Sequence, residues 1–283
     1  MCTLTANEMR VDLVVFSKDR PLQLYAFFES VQTYLSGISE MHVIYCASDT
    51  DFEDGYSVVK EKFPGVIFHK QSQNPHADFK PLVLKAVYSK TSRSKYVMFG
   101  VDDIIVKDYA NLIKAIGALE KYKAWGFFLR LGKNITYTYT TDSESPVPRG
   151  RDENEEFFSW KFSNGTGDWA YPNNVDMTIY RKEGIRAFLE NETYTYPNTL
   201  EGIWAEKAGP IMKERGLSFQ FSKTINLPMN IVSLVNNRST HSYSIHDLLK
   251  KLQEGYKINI HDFFKIPNTS QHIDHDISFV LRE

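Results

Sequence analysis

An α/β fold with a largely parallel sheet flanked by helices is predicted by three features of this 283-residue chain. Short apolar runs alternate with stretches of helical periodicity through the first half, as in successive βα units. A polar loop recurs where each apolar run ends, which is where open α/β sheets place ligands. The length and a 42% hydrophobic content are enough to bury a full core.

The elements follow in order. Val11 to Phe16 is the first strand, and Ser17-Lys18-Asp19-Arg20-Pro21 is its exit loop. Pro21 suits a first helical turn, where its missing N–H costs nothing, and Leu24, Phe27, Phe28, Val31 and Leu35 then recur at helical spacing up to Gly37. His42 to Cys46 is the second strand, ending in Ala47-Ser48-Asp49. Val66 to His69 is the third, with a helix expected over Pro81 to Tyr88. Tyr96 to Phe99 is the fourth, and a helix over about Tyr109 to Lys121 precedes a strand from Trp125 to Leu131. The polar stretch Thr140 to Glu156 reads as a lid or a surface excursion. Later come a strand at Met177 to Tyr180, a helix from Glu183 to Leu189, and a helix opening near Asn198 or Thr199 with Glu201 in its first turn. An amphipathic helix, Ile245 to Leu252, stops at Gly255.

Composition narrows the function. A formal net charge of -2 argues against a broad basic surface for nucleic acid or anionic lipid. Cys2 and Cys46 are too few for a disulfide framework or a cysteine zinc site, so a reducing, cytoplasmic setting is expected. Met1 to Asp12 has no sustained apolar region, and no stretch approaches the ~20 apolar residues of a membrane span, so a soluble protein without an integral membrane segment is expected. Aromatic residues make up 14% of the chain and offer flat faces for sugar rings or bases as well as core mass.

The chemistry concentrates in Tyr96 to Val106, where an apolar run delivers Asp102 and Asp103 and turns apolar again. Two ionised carboxylates repel unless a cation offsets them, and a divalent ion carrying phosphate is the natural one. The plainer alternative has one Asp capping a helix and the other facing water. Gly165 to Asp176 mixes glycines, aromatics, amides and carboxylates suited to a small polar ligand, with Asp168 between Gly167 and Trp169. Trp169 and Tyr171 are candidates to line an acceptor site, whereas Trp125, Trp160 and Trp204 read as core.

Together, the strand with its Ser17-Lys18-Asp19-Arg20-Pro21 exit loop, Asp49 after the second strand, Val101-Asp102-Asp103 after the fourth and the acidic helix start at Glu201 resemble the nucleotide-sugar glycosyltransferases of the GT-A fold. The family signature is Asp-X-Asp, and this chain keeps only its last two acids in Val101-Asp102-Asp103. The resemblance implies a single GT-A domain over 1–283, Rossmann-like, with a central mixed, mainly parallel sheet. Its nucleotide-binding half would span about 10–135, its acceptor-binding and catalytic half about 136–235, and a C-terminal extension about 236–283.

It implies a metal-dependent transferase moving a sugar from a nucleoside-diphosphate-sugar donor to a carbohydrate or glycan acceptor hydroxyl, in glycan or surface polysaccharide synthesis. Ser17, Asp19, Arg20 and Asp49 would surround the nucleotide. Asp102 would sit near the ribose or a metal-bound water, and Asp103 would ligate Mn2+ or Mg2+. Lys80 is a candidate second positive charge at the diphosphate. Glu201 is the expected base for the acceptor hydroxyl, with Asp168 in reserve. His241 and His272 are candidates for a third metal ligand. Two rival readings stay open at this point. A nucleotidyltransferase would want a glycine-rich basic loop after the first strand, and Ser17 to Pro21 has no glycine. A catalytically silent domain would keep the fold and bind carbohydrate or a partner.

Overall fold

The computed structural model describes residues 5–230 and 243–282. Its spine is a nine-stranded mixed sheet. The parallel block comprises β1 (Val11–Lys18), β2 (Ile38–Cys46), β3 (Val66–Lys70) and β4 (Tyr96–Val101), ordered β3-β2-β1-β4. After the short strand β5 (Ile104–Val106) the sheet is completed by β6 (Gly126–Phe128), β7 (Gly150–Asp152), β8 (Phe157–Lys161), β9 (Thr178–Arg181) and β10 (Arg215–Phe219). β9 is antiparallel to both β4 and β6, and the order beyond it runs β6-β10-β8-β7.

Alternation along β1 divides the core. Val11, Leu13 and Val15 face one layer with α1 (Pro21–Tyr34), α2 (Thr50–Lys62), α4 (Leu112–Lys121) and α7 (Ile245–Gln253). Val14 and Phe16 face the other, with α3 (Pro75–Val87), α5 (Lys182–Asn191) and α6 (Pro197–Glu206). A strand buried on both faces reads as an unbroken apolar run, which is why β1 and β4 were legible. A third cluster, centred on Phe128, Phe158, Trp160 and Trp169, packs under the antiparallel half. Among the described residues no helix is long and apolar enough to cross a membrane.

Local chemistry explains the boundaries. Pro21 occupies the first turn of α1, and Asp49 caps α2 by accepting from the Phe52 amide at 3.0 Å. Asn111 caps α4 through the amides of Ile113 and Lys114. Ser244 and Asp247 form a reciprocal box at the start of α7, and Gly255 follows it with φ +90°.

Two expectations need correcting, and one left open between two readings is narrowed. α3 begins at Pro75 and carries Pro81 inside it, because Pro75 is an equally good first-turn residue six positions upstream. The Thr140 to Glu156 stretch is a surface excursion, folded as a hairpin of Tyr137–Thr138 with Ser143–Glu144 and then the edge strand β7. α6 starts two or three residues earlier than expected: Pro197 is its first residue and the Thr199 hydroxyl accepts from the amides of Thr195 and Tyr196. Glu201 therefore lies in the second turn.

Candidate active site

The chain leaves β1 to build β2 on one side, while β4 returns on the other. A crevice opens outside the carboxyl ends at such a reversal of strand order. Phe16 pairs with Val101, so the β1 exit residues and Asp102-Asp103 emerge side by side. The antiparallel β9 points its amino end to the same edge, where the Met177 amide donates to the Phe99 carbonyl and brings up Asp176. β6 ends there too, and two residues later stands Arg130.

Arg20 holds the acid pair. Its Nη1 is 3.0 Å from Asp102 Oδ1 and 3.3 Å from Asp103 Oδ2, and its Nε donates to Asn230 Oδ1 at 2.8 Å while Nη2 donates to the Asn230 carbonyl. Asp102 also accepts from the Lys18 amide at 3.3 Å. Burial drives the Asp102 carboxyl above the usual carboxylate range; Arg20 opposes that rise and Asp103 adds to it.

Behind the pair lies a second acidic group. The Glu201 carboxyl accepts from the Val175 amide at 3.2 Å, and burial, aided by Asp176, pushes it up to about 8. Asp176 is raised by its own burial; Arg130 and His272 counter this, while Asp103 and Asp168 reinforce it. Both residues keep some surface open to solvent although protein surrounds their carboxyl groups. Arg130 faces them from the far wall, 3.5 Å from Asp168, donating also to Gln271 and to the Tyr171 carbonyl at 3.3 Å. The acids Asp102, Asp103, Asp168, Asp176 and Glu201 thus share one edge, where Arg20 and Arg130 are the permanent cations paired with them among the described residues.

This edge is also where polar atoms lack partners. Asp103 Oδ1, Arg130 Nε, Asn226 Oδ1, Asn230 Nδ2 and Gln271 Nε2 are buried and unbonded among the described residues. They are neighbours through the backbone. β11 (Thr224–Asn226) pairs with β5 so that Asn226 lies opposite Ile104; the Leu227 amide donates to the Asp103 carbonyl, and the Asn226 amide to that of Gln271. Buried polar groups left unsatisfied in a folded protein cost free energy, and the five at this edge are groups that a polar ligand could satisfy.

The expected site residues divide. Arg20, Asp102, Asp103, Asp168 and Glu201 converge. Ser17 lies at the same edge, where its hydroxyl bonds the Tyr56 hydroxyl at 2.7 Å and also reaches the Asp102 carboxyl. Asp19, at φ +52°, accepts from the Ser48 amide at 2.7 Å and the Ser48 hydroxyl at 2.5 Å, clamping the β1 and β2 exits together. Asp49 is exposed and serves as the α2 cap. Lys80 is a correction: its ammonium donates at 2.7 Å to the carbonyls of Glu190 and Glu192 at the end of α5, so both bonds hold it on the helical layer. Trp169 is a second correction. It is fully buried against Trp160 with rings 4.7 Å apart, and its indole N–H donates to the Ile135 carbonyl. Gly167, at φ +52°, leaves room for Thr138 and Ser145, which a Cβ would meet at 2.4 and 3.0 Å, and not for a ligand.

Asp176 and Arg130 are site residues that the sequence reading missed. Arg130 interrupts the apolar run Phe127 to Leu131, and a lone cation in such a run was the available signal. Asp176 directly precedes a strand, the mirror of a carboxylate that follows one. His272 reaches the edge through a bridge to Asn226, while His241 lies outside the described residues.

Among the described residues no group of three His, Cys, Asp or Glu side chains stands ready for a metal. Asp102 and Asp103 alone suit a hard divalent cation, because Mg2+-like ions need only one or two carboxylates when substrate phosphates and water complete the shell. The uncommitted Asp103 Oδ1 fits that use.

The fold and the edge define an α/β domain with a cluster of buried charge at its switch point. No protein-family model matches the chain. It is 30% identical over 214 residues to the bifunctional glycosyltransferase pgtA of Dictyostelium discoideum, across 70% of this chain and 27% of the relative, so it spans about a quarter of that protein. Among solved structures, S. aureus TarS in complex with UDP aligns at 13% identity with a TM-score of 0.48, over 76% of this chain and 59% of that one. The 4-diphosphocytidyl-2C-methyl-D-erythritol synthase of Anaerococcus prevotii aligns at 14% identity with a TM-score of 0.42, over 89% of this chain and all of that one.

Proposed function

We propose that this chain is a glycosyltransferase domain of the GT-A type, moving a sugar from a nucleoside-diphosphate donor to a carbohydrate acceptor hydroxyl with Mn2+ or Mg2+ held by Asp102 and Asp103. The observation that carries this reading is the set of acids and unbonded polar atoms converging on the crevice between β1 and β4. Similarity to a glycosyltransferase along most of the chain supports the same class.

The bound ion would supply charge neutralisation to the departing diphosphate. Asp103 presents a free oxygen on that side, and Asp102, fixed by Arg20 and the Lys18 amide, sets the orientation of the pair. Glu201 removes the proton of the acceptor hydroxyl. Only its charged form accepts a proton, and that form grows as pH rises towards about 8, so transfer should rise with pH over that range. Arg130, Gln271 and Asn226 bring donors and acceptors that match sugar hydroxyls. Glycan or surface polysaccharide synthesis is the setting this chemistry would serve.

A thermal-shift screen of nucleoside diphosphates with and without Mn2+ tests the reading, since a ligand that binds only the folded state raises the melting temperature. Stabilisation by one diphosphate that requires the metal is the expected result. A response to triphosphates alone would favour a nucleotidyltransferase, and no response to any nucleotide would leave a silent binding domain.

A further inference from the structure

We infer that Arg20 is the resident counter-cation of the acid pair: it blocks divalent-ion binding until a diphosphate arrives to take the guanidinium, and so makes metal and nucleotide bind together. The inference rests on the transferase reading and adds to it a residue that controls the order of loading.

The geometry argues for it in three steps. First, a single nitrogen, Nη1, serves both acids, at 3.0 Å to Asp102 and 3.3 Å to Asp103. A planar guanidinium set between two carboxylates occupies the space and the electrostatic role that a metal ion would take. Secondly, the two contacts are unequal. The Asp102 side chain is 4% exposed and has a second donor in the Lys18 amide, whereas Asp103 is 20% exposed, makes the longer contact and keeps one oxygen unbonded. Asp103 is therefore the side that yields. Thirdly, Arg20 is anchored from behind by Asn230, through Nε to Oδ1 and Nη2 to the carbonyl. Those two bonds fix the plane of the guanidinium behind the acids, so Asp103 is the partner that moves away and the stem of Arg20 stays in place.

Without nucleotide, a metal ion must compete with a preorganised cation and would leave Arg20 facing it. With a diphosphate present, phosphate oxygens give Arg20 a bidentate anionic partner and Asp103 is released to the ion. The two ligands then favour each other through one shared side chain, and such coupling is reciprocal.

Titration of the full chain with Mn2+, followed by the electron paramagnetic resonance of the free ion, tests this with and without saturating UDP. The wild type should bind Mn2+ weakly alone, with UDP tightening it about 5–150-fold, the usual range for coupled sites. Arg20→Gln should bind Mn2+ alone more tightly than the wild type, and UDP should then add little. Arg20→Lys, which keeps the charge and loses the Nε and Nη2 tether to Asn230, should show the same trend more weakly and serves if the glutamine variant does not fold. Folded variants that bind Mn2+ alone no better than the wild type, with the UDP effect intact, would overturn the role of Arg20 while leaving the transferase reading standing. A wild type that binds no Mn2+ even with UDP would remove the metal-dependent reading and this inference with it.

Discussion

At the amino end of β1, Asp12 is fully enclosed and meets one cation, with Lys182 Nζ at 2.6 Å and the Glu40 amide at 3.2 Å. Near the carboxyl end of the same strand, Arg20 is the one cation paired with Asp102 and Asp103 among the described residues, and the acids behind them share Arg130. One strand thus carries buried charge at both ends under different rules. The amino end pairs each charge and has no orphaned atom in its ion pair, as a structural site should. The carboxyl end keeps excess negative charge and unsatisfied oxygens, which a protein retains when a ligand supplies what is missing.

Several measurements sharpen this contrast. The largest effect is expected at Glu201. Glu201→Gln should keep donor affinity and lower transfer by about 10²–10⁴-fold, the usual worth of a positioned base; unchanged turnover would move the role to Asp168. At the opposite end, Lys182→Ala strands a buried carboxylate and should cost about 3–5 kcal/mol in denaturant unfolding. Pairing Asp12→Leu with Lys182→Met should recover most of that loss.

The pH dependence of stability should have opposite signs at the two kinds of site. His42 and His69 lie stacked across β2 and β3 with ring nitrogens 3.1 Å apart, and burial holds His69 down at about 4. The fold favours the neutral rings, so their contribution is present above the ordinary value of 6.5 and is lost as pH falls towards 4. Glu201 behaves in reverse. Its protonated form is favoured in the fold, so that stability is full below 4.5 and is lost as pH rises to about 8. Melting curves of His69→Phe should flatten the acid limb, and those of Glu201→Gln the alkaline one. The smallest effect is expected for Asp103→Asn, which relieves repulsion and should leave stability within about 0.5 kcal/mol of wild type or raise it.

How much of this was legible follows from what sets each feature. β1 and β4 could be read because strands covered on both faces are nearly continuous apolar runs, β2 and β3 from their short apolar cores, and Pro21 and Asp49 marked their helices by local chemistry. Asp102 and Asp103 stood out because carboxylates directly after a buried strand are conspicuous. Asp176 and Arg130 did not, since they reach the crevice only through the antiparallel insertion of β9 and the pairing of β6, which no local pattern encodes. Lys80 and Trp169 were misread for a related reason. A long cation and a large ring each find partners set by tertiary contacts, here the end of α5 and the Trp160 cluster.

The most direct test is calorimetric titration of UDP in Mn2+ into wild type and Asp103→Ala, with folding checked by circular dichroism. Tight, metal-dependent binding by the wild type that vanishes in the folded variant is the predicted result. Equal affinity in both proteins would contradict the placement of the ligand at the carboxyl edge of β1 and β4.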